Sequence, residues 1–166
     1  MSQSMYAASI PVFVRSLTNL QSILKKGADY AADKKVDDIV LTAARLFPDM
    51  FPLSRQVQIA CDVAKGCGAR LAGIDPPRFE DTETTFEELQ ARINKTLAFL
   101  NTLDVSSIDA SADKEIKLKT GGGEREFTGE DYLRTWALPN VYFHASTTYN
   151  ILRHNGVPLG KSDFLG

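Results

Sequence analysis

Apolar side chains recur at steps of three and four in three separate stretches of this chain. Ile10, Phe13, Leu17, Leu20 and Leu24 make the first stripe. Leu53, Val57, Ala60, Ala64, Cys67 and Leu71 make the second, and Phe86, Leu89, Ile93, Leu97 and Leu100 the third. That spacing puts each set on one face of an α-helix, and a helix with one apolar face must bury it against others. The chain has 166 residues, enough for one domain with one core, here spanning residues 1–166. The stripes predict an all-α fold, a four-helix bundle.

The ends of the helices are also written in the sequence. The first long helix is expected over residues 4–32, with Pro11 kinking or delaying its first turns and Gly27 marking its fading end. Asp37 offers an N-cap for a short helix over residues 38–46, halted before Pro48. The apolar connector Phe47-Pro48-Asp49-Met50-Phe51-Pro52 is expected to pack over a bundle end. The second long helix covers residues 53–71, is dense in small residues, and stops at Gly73. Asp75-Pro76-Pro77 begins a stiff linker long enough to permit a crossover. Thr85 and Glu88 form a capping box that starts the third helix, which fades near Leu103 into a loop over residues 104–113. Period-two alternation over residues 115–119, three glycines and a return over residues 124–127 predict a small β-hairpin between helices three and four. Thr128 caps the fourth long helix, which runs to Asn155 with a kink at Pro139. Phe164 and Leu165 are too apolar for a free tail and are expected to fold back.

Composition excludes several function classes. A formal charge of −2 with 19 basic and 21 acidic residues gives no basic footprint for nucleic acid. No apolar run approaches bilayer length, so no membrane span is expected. The opening MSQSMYAASI lacks a basic n-region and an apolar h-region, which argues for the cytoplasm. Cys61 and Cys67 lie about 9 Å apart on one helix, beyond the roughly 7 Å reach of a disulfide. They read as reduced thiols.

The residues able to do chemistry are few. The two histidines, His144 and His154, are separated by about 80° around the helix and about 15 Å along it. They cannot share an ion, and neither HExxH nor Glu-x-x-His occurs. His154 beside Arg153 sits where a cation favours the helix C-terminus. His144 reads either as a hydrogen-bonded bundle histidine or as the polar anchor of a pocket, with Tyr142, Thr148 and Tyr149 within two turns. Trp136 and Tyr132 read as core or dimer packing. The triple glycine lacks the lysine and hydroxyl that end a phosphate loop.

Three segments carry a resemblance: LPNVYFHASTTYNILRHNGVPLGKSDFLG over residues 138–166, PDMFPL over 48–53 and RQVQIACD over 55–62. They resemble a bacterial family known as a domain of unknown function within the DinB/YfiT-like superfamily. The resemblance implies a DinB-like four-helix bundle with a crossover connection, a homodimer, and a divalent metal, zinc or nickel, in a pocket at one bundle end. It implies one metal-binding histidine on the second helix and an HxxxH pair on the fourth. His144 falls at the first position of that pair, but Thr148 holds the second. The second helix has no histidine, only Gln56, Gln58, Cys61 and Asp62 at similar depth. The expected site is therefore degenerate, with pocket candidates His144, Thr148, Tyr142, Tyr149, Gln58, Asp62 and Cys61. No metal or other cofactor is expected; an ion, if held, would take His144 with Cys61 or Asp62. Two functions remain open: a small-molecule-binding or structural dimeric bundle, and a metal- or thiol-cosubstrate-dependent transferase or isomerase acting at His144.

Overall fold

The computed structural model describes residues 4–166. Residues 1–3, part of the stretch read as lacking a leader, lie outside the described residues. The elements run α1 (Met5–Lys34), α2 (Asp38–Thr42), α3 (Leu53–Ala72), α4 (Phe86–Leu100), α5 (Val105–Asp109), β1 (Glu115–Thr120), β2 (Gly123–Thr128), α6 (Gly129–Asp131), a π-helical turn (Tyr132–Ala137), α7 (Leu138–His154) and α8 (Lys161–Leu165). The long helices α1, α3, α4 and α7 carry the core. Helix α3 packs on both α7 and α4, and α1 packs on both α4 and α7. The striped residues Phe13, Leu17, Leu24, Leu53, Val57, Ala64, Leu89 and Ile93 are fully buried among them. No helix of the described residues is long and apolar enough to cross a membrane.

The caps follow the sequence. Ser4 accepts the Ala7 amide at the start of α1. Thr85 accepts the Glu88 amide at 3.2 Å while the Glu88 carboxylate takes the Thr85 amide at 3.0 Å. Gly73 ends α3 in the left-handed conformation at φ 78°. Thr128 caps the turn that leads into α7. Cys61 and Cys67 are both free and buried.

Several expectations fail for local reasons. Helix α1 runs on past Pro11 and Gly27 to Lys34; Pro11, inside the helix, gives up a single amide donor of the ladder. Helix α2 stops at Thr42, four residues short of the expected end, and the Thr42 hydroxyl donates to the Thr84 carbonyl at 2.7 Å. The connector does not seal the bundle end: Phe47 is 63% exposed and Phe51 54%. The third helix closes at Leu100, and the loop after it holds the short α5, capped by Asp104. In the tail, Phe164 packs on Tyr149 at 6.3 Å, but Leu165 stays exposed.

The fourth helix shows the effect of Pro139. Instead of a simple kink, the turn before it widens to a π-helix over Tyr132–Ala137. Proline brings no N–H and crowds the carbonyl four residues back, and a wider turn makes room. The Asn140 side chain donates to the Trp136 carbonyl at 2.7 Å, answering one carbonyl of that turn. The hairpin leans on this segment: Phe127 of β2, paired across to Ile116, sits 5.8 Å from Tyr132 and 6.0 Å from Trp136. Ile116 is buried, and Leu118 and Phe127 are half-buried.

Gly129 joins the hairpin to the helices at a point where a side chain has no room. A Cβ there would overlap the Ser111 carbonyl oxygen, which is backbone and cannot swing aside. Gly129→Ala should therefore lower unfolding stability by about 3 kcal/mol in a urea titration. Gly121→Ala, at a hairpin tip with open space around it, should change it by less than about 0.5 kcal/mol.

Candidate functional site

Helix α3 sends its polar side chains in two directions, and the candidate residues divide accordingly. Gln56 points to α7. There its Oε1 lies 2.7 Å from His144 Nδ1, while its Nε2 donates to the Phe51 carbonyl at 3.0 Å. The second bond fixes the amide: the nitrogen is committed to a carbonyl, so the oxygen faces the ring. His144 Nδ1 must then carry the proton and donate, leaving Nε2 as the unprotonated nitrogen. His144 is only 8% exposed, and Phe143 meets its ring edge-on at 5.2 Å. Burial, with a smaller contribution from the nearby Arg55 charge, lowers its pKa to about 4. Nε2 has no hydrogen-bond partner among the described residues, yet it is not sealed from solvent.

Thr148 does not reach into a pocket. Its hydroxyl donates back to the His144 carbonyl at 2.9 Å, one turn earlier on α7. Tyr142 and Tyr149 face the opposite side of α7. Tyr142 lines a groove of about 520 Å³ with Pro11, Leu20, Ile23 and Ala145, and Tyr149 packs on Phe164.

Gln58, Cys61 and Asp62 belong to the α3–α4 side. Here one arginine gathers the neighbours. The Arg92 side chain, from α4, is 1% exposed and contacts Asp62 at 3.0 Å, Asp81 at 2.9 Å and Glu83 at 2.9 Å. Gln58 donates to Glu83 at 2.9 Å and accepts from Arg55 at 3.2 Å, and Arg55 also pairs with Asp81. Lys65 pairs with Asp62 at 2.9 Å and lies 3.9 Å above the Phe79 ring. Cys61 is buried beside this network with a hydrogen bond to Thr96, and burial pushes its thiol up to about 12. A neutral, inaccessible thiol is neither a nucleophile nor a ready ligand.

These placements set which donors an ion could meet here. An ion beside His144 would meet one imidazole nitrogen, a glutamine amide and a hydroxyl already engaged. Cys61 and Asp62 are turned to Thr96, Arg92 and Lys65. Among the described residues no three His, Cys, Asp or Glu side chains come together as a metal group. The set does not fit zinc or nickel, which need three or more protein donors around one point.

Sequence reasoning named Gln56 among the polar residues of its helix but not as the partner of His144. It also missed Arg92, Asp81 and Glu83. A buried arginine on the apolar side of a helix, with two carboxylates in the linker just before it, was the available signal.

Two measurements check this description. His144 is more easily protonated unfolded than folded, so it subtracts nothing above pH 6.5 and destabilises as pH falls toward 4. Over that window wild type should lose about 3 kcal/mol more than His144→Gln in urea titrations at successive pH values. Arg92→Met leaves Asp62, Asp81 and Glu83 without their shared cation and should cost about 4 kcal/mol in the same assay at pH 7.

Comparison with known proteins gives the chain its relatives. A search of curated proteins found no match. A crystal structure of a DinB family member protein from Shewanella denitrificans superposes with a TM-score of 0.89 at 42% identity, covering 97% of this chain and 91% of that one. The family model described as a domain of unknown function, DUF1993, matches residues 5–165. The chain belongs to the DUF1993 family and is similar in fold to a DinB family member.

Proposed function

We propose that this chain is a small-molecule-binding bundle, cytoplasmic and homodimeric, in which the DinB-like metal position has become a neutral hydrogen-bonding site. We also read the four long helices as a crossover arrangement, though not at the proline linker between α3 and α4, which pack side by side. Support comes from α1 and α3 each packing chiefly on α4 and α7, so that the α1–α3 and α4–α7 connections span the bundle.

One observation carries the functional reading: the His144–Gln56 pair at 2.7 Å, with its amide oriented by the Phe51 carbonyl. It presents Nε2 as an acceptor of fixed direction beside the Phe143 ring. Such a nitrogen takes a hydrogen bond from an N–H or O–H of a ligand. The enzymatic alternative, a transferase or isomerase at His144, asks the same nitrogen to act as a base. A pKa of about 4 makes it a poor one near neutral pH. For the dimer, the support is the exposed Phe47, Phe51 and Phe143 near this end of α3 and α7.

The test has three readouts. Calorimetric titration with zinc chloride should show no saturable site, and metal analysis of the purified protein should find none in stoichiometric amount. A fragment screen followed by 15N shifts should give hits that move the His144 and Gln56 side chains. Light scattering should give twice the 18.3 kDa chain mass. One zinc per chain, lost in His144→Ala, would overturn the reading in favour of the metal-dependent alternative. A screen without hits at His144 would remove the ligand site, and a monomer would remove the dimer.

A further inference from the structure

The segment between α3 and α4, residues 74–85, is long for a connection without secondary structure, and such segments tend to be functional. Among the described residues, positions 75–83 make no backbone–backbone hydrogen bond. Side chains hold the segment instead: Arg92 donates to the Glu80 carbonyl at 3.0 Å, Thr42 to the Thr84 carbonyl at 2.7 Å and Gln58 to Glu83 at 2.9 Å, and the remaining contacts are charged. The helices contribute three cations, Arg55, Lys65 and Arg92, and one carboxylate, Asp62. That leaves two positive charges uncompensated, with the Lys65 and Arg92 side chains 6% and 1% exposed. The segment supplies the two missing negative charges, Asp81 and Glu83.

Solvent-open grooves flank this line of contacts. Cavities of about 360 and 600 Å³ flank Phe79, the first lined by Arg92 and Lys95 and the second by Asp62 and Lys65. Arg92 Nε, buried, has no hydrogen-bond acceptor, and it is the one such side-chain atom among the described residues. A segment without backbone pairing over residues 75–83, held by ion pairs, a few side-chain hydrogen bonds and one aromatic ring, belongs to the low-stability end of a fold. Its removal alone is costly, because two charges cannot stay buried without counter-charge. Its exchange for another double negative charge is not.

We propose that residues 74–85 form a displaceable lid, whose Asp81 and Glu83 carboxylates are the built-in occupant of a cationic pocket made by Arg55, Lys65 and Arg92. When the lid is displaced the pocket takes a small dianion, a dicarboxylate or a phosphate. Arg55, which pairs with Asp81 and also raises the positive potential at His144, places this pocket next to the histidine without sharing its atoms.

The experiment uses glutarate and inorganic phosphate as separate probes, at pH 7.5 and constant ionic strength set with sodium chloride. By calorimetry, the Asp81→Asn/Glu83→Gln variant should bind one dianion per chain about tenfold more tightly than wild type. Adding Arg92→Gln should abolish that binding. If the double variant does not fold by circular dichroism, the wild-type protein still answers. Arg78 is exposed in the lid, and tryptic cleavage after it should accelerate about threefold with the effective dianion relative to sodium chloride alone. A response to glutarate alone assigns a dicarboxylate, to phosphate alone a phosphate, and to both a site that reads charge only. Binding no tighter in a folded double variant overturns the proposal. So does cleavage that neither probe accelerates beyond the salt control.

Discussion

Helix α3 is buried along most of its length, and the cost of desolvating its polar side chains organises the structure around it. Small residues, Ala60, Cys61, Ala64, Gly66, Cys67 and Gly68, let α7 and α4 come close. Close approach removes water, and every polar group left on that surface must find a partner inside the protein. Gln56 finds His144 and a carbonyl, while Gln58 and Asp62 find the Arg92 network. The same desolvation keeps His144 uncharged and the Cys61 thiol protonated. What each side chain can do chemically follows from which neighbour of α3 it was folded against.

Two sites result in place of one. On the α7 side the groups are neutral and satisfied except for a single nitrogen. On the α4 side they are charged and matched in number, one arginine at their centre. Arg55 acts on both: it pairs with Asp81 and its charge is felt at His144. The chain shares its fold with a DinB family member, and fold does not carry function with it. Here the imidazole geometry and the donor set, not the bundle, argue for hydrogen bonding over metal chemistry.

The long helices were legible in the sequence because periodicity, caps and a left-handed glycine are local signals. The Thr85–Glu88 box and Gly73 appear where the residues place them. The connector over residues 47–52 was misread because an apolar composition says that a segment wants cover, not that cover exists. The π-helical turn was hidden because Pro139 can be answered by a kink or by widening, and the sequence does not say which. In the site, His144 and its lack of a second histidine were readable from spacing alone. The separation of Tyr142 and Tyr149 from His144 was foreseeable from helical angles, though proximity in sequence concealed it. Of the Arg92 network the sequence offered only the arginine on the apolar side of its helix; its pairing was hidden, because the partners lie on a segment with no periodicity to give it a direction.

The chemistry of the His144–Gln56 pair depends on the protonation state of one ring. Long-range 1H–15N spectra of the protein near neutral pH report directly which nitrogen of His144 carries hydrogen. They should show a protonated Nδ1 and a bare Nε2, with the Nε2 signal unmoved when zinc is added in slight excess. A proton on Nε2, a charged ring, or an Nε2 resonance captured by the ion would contradict that chemistry.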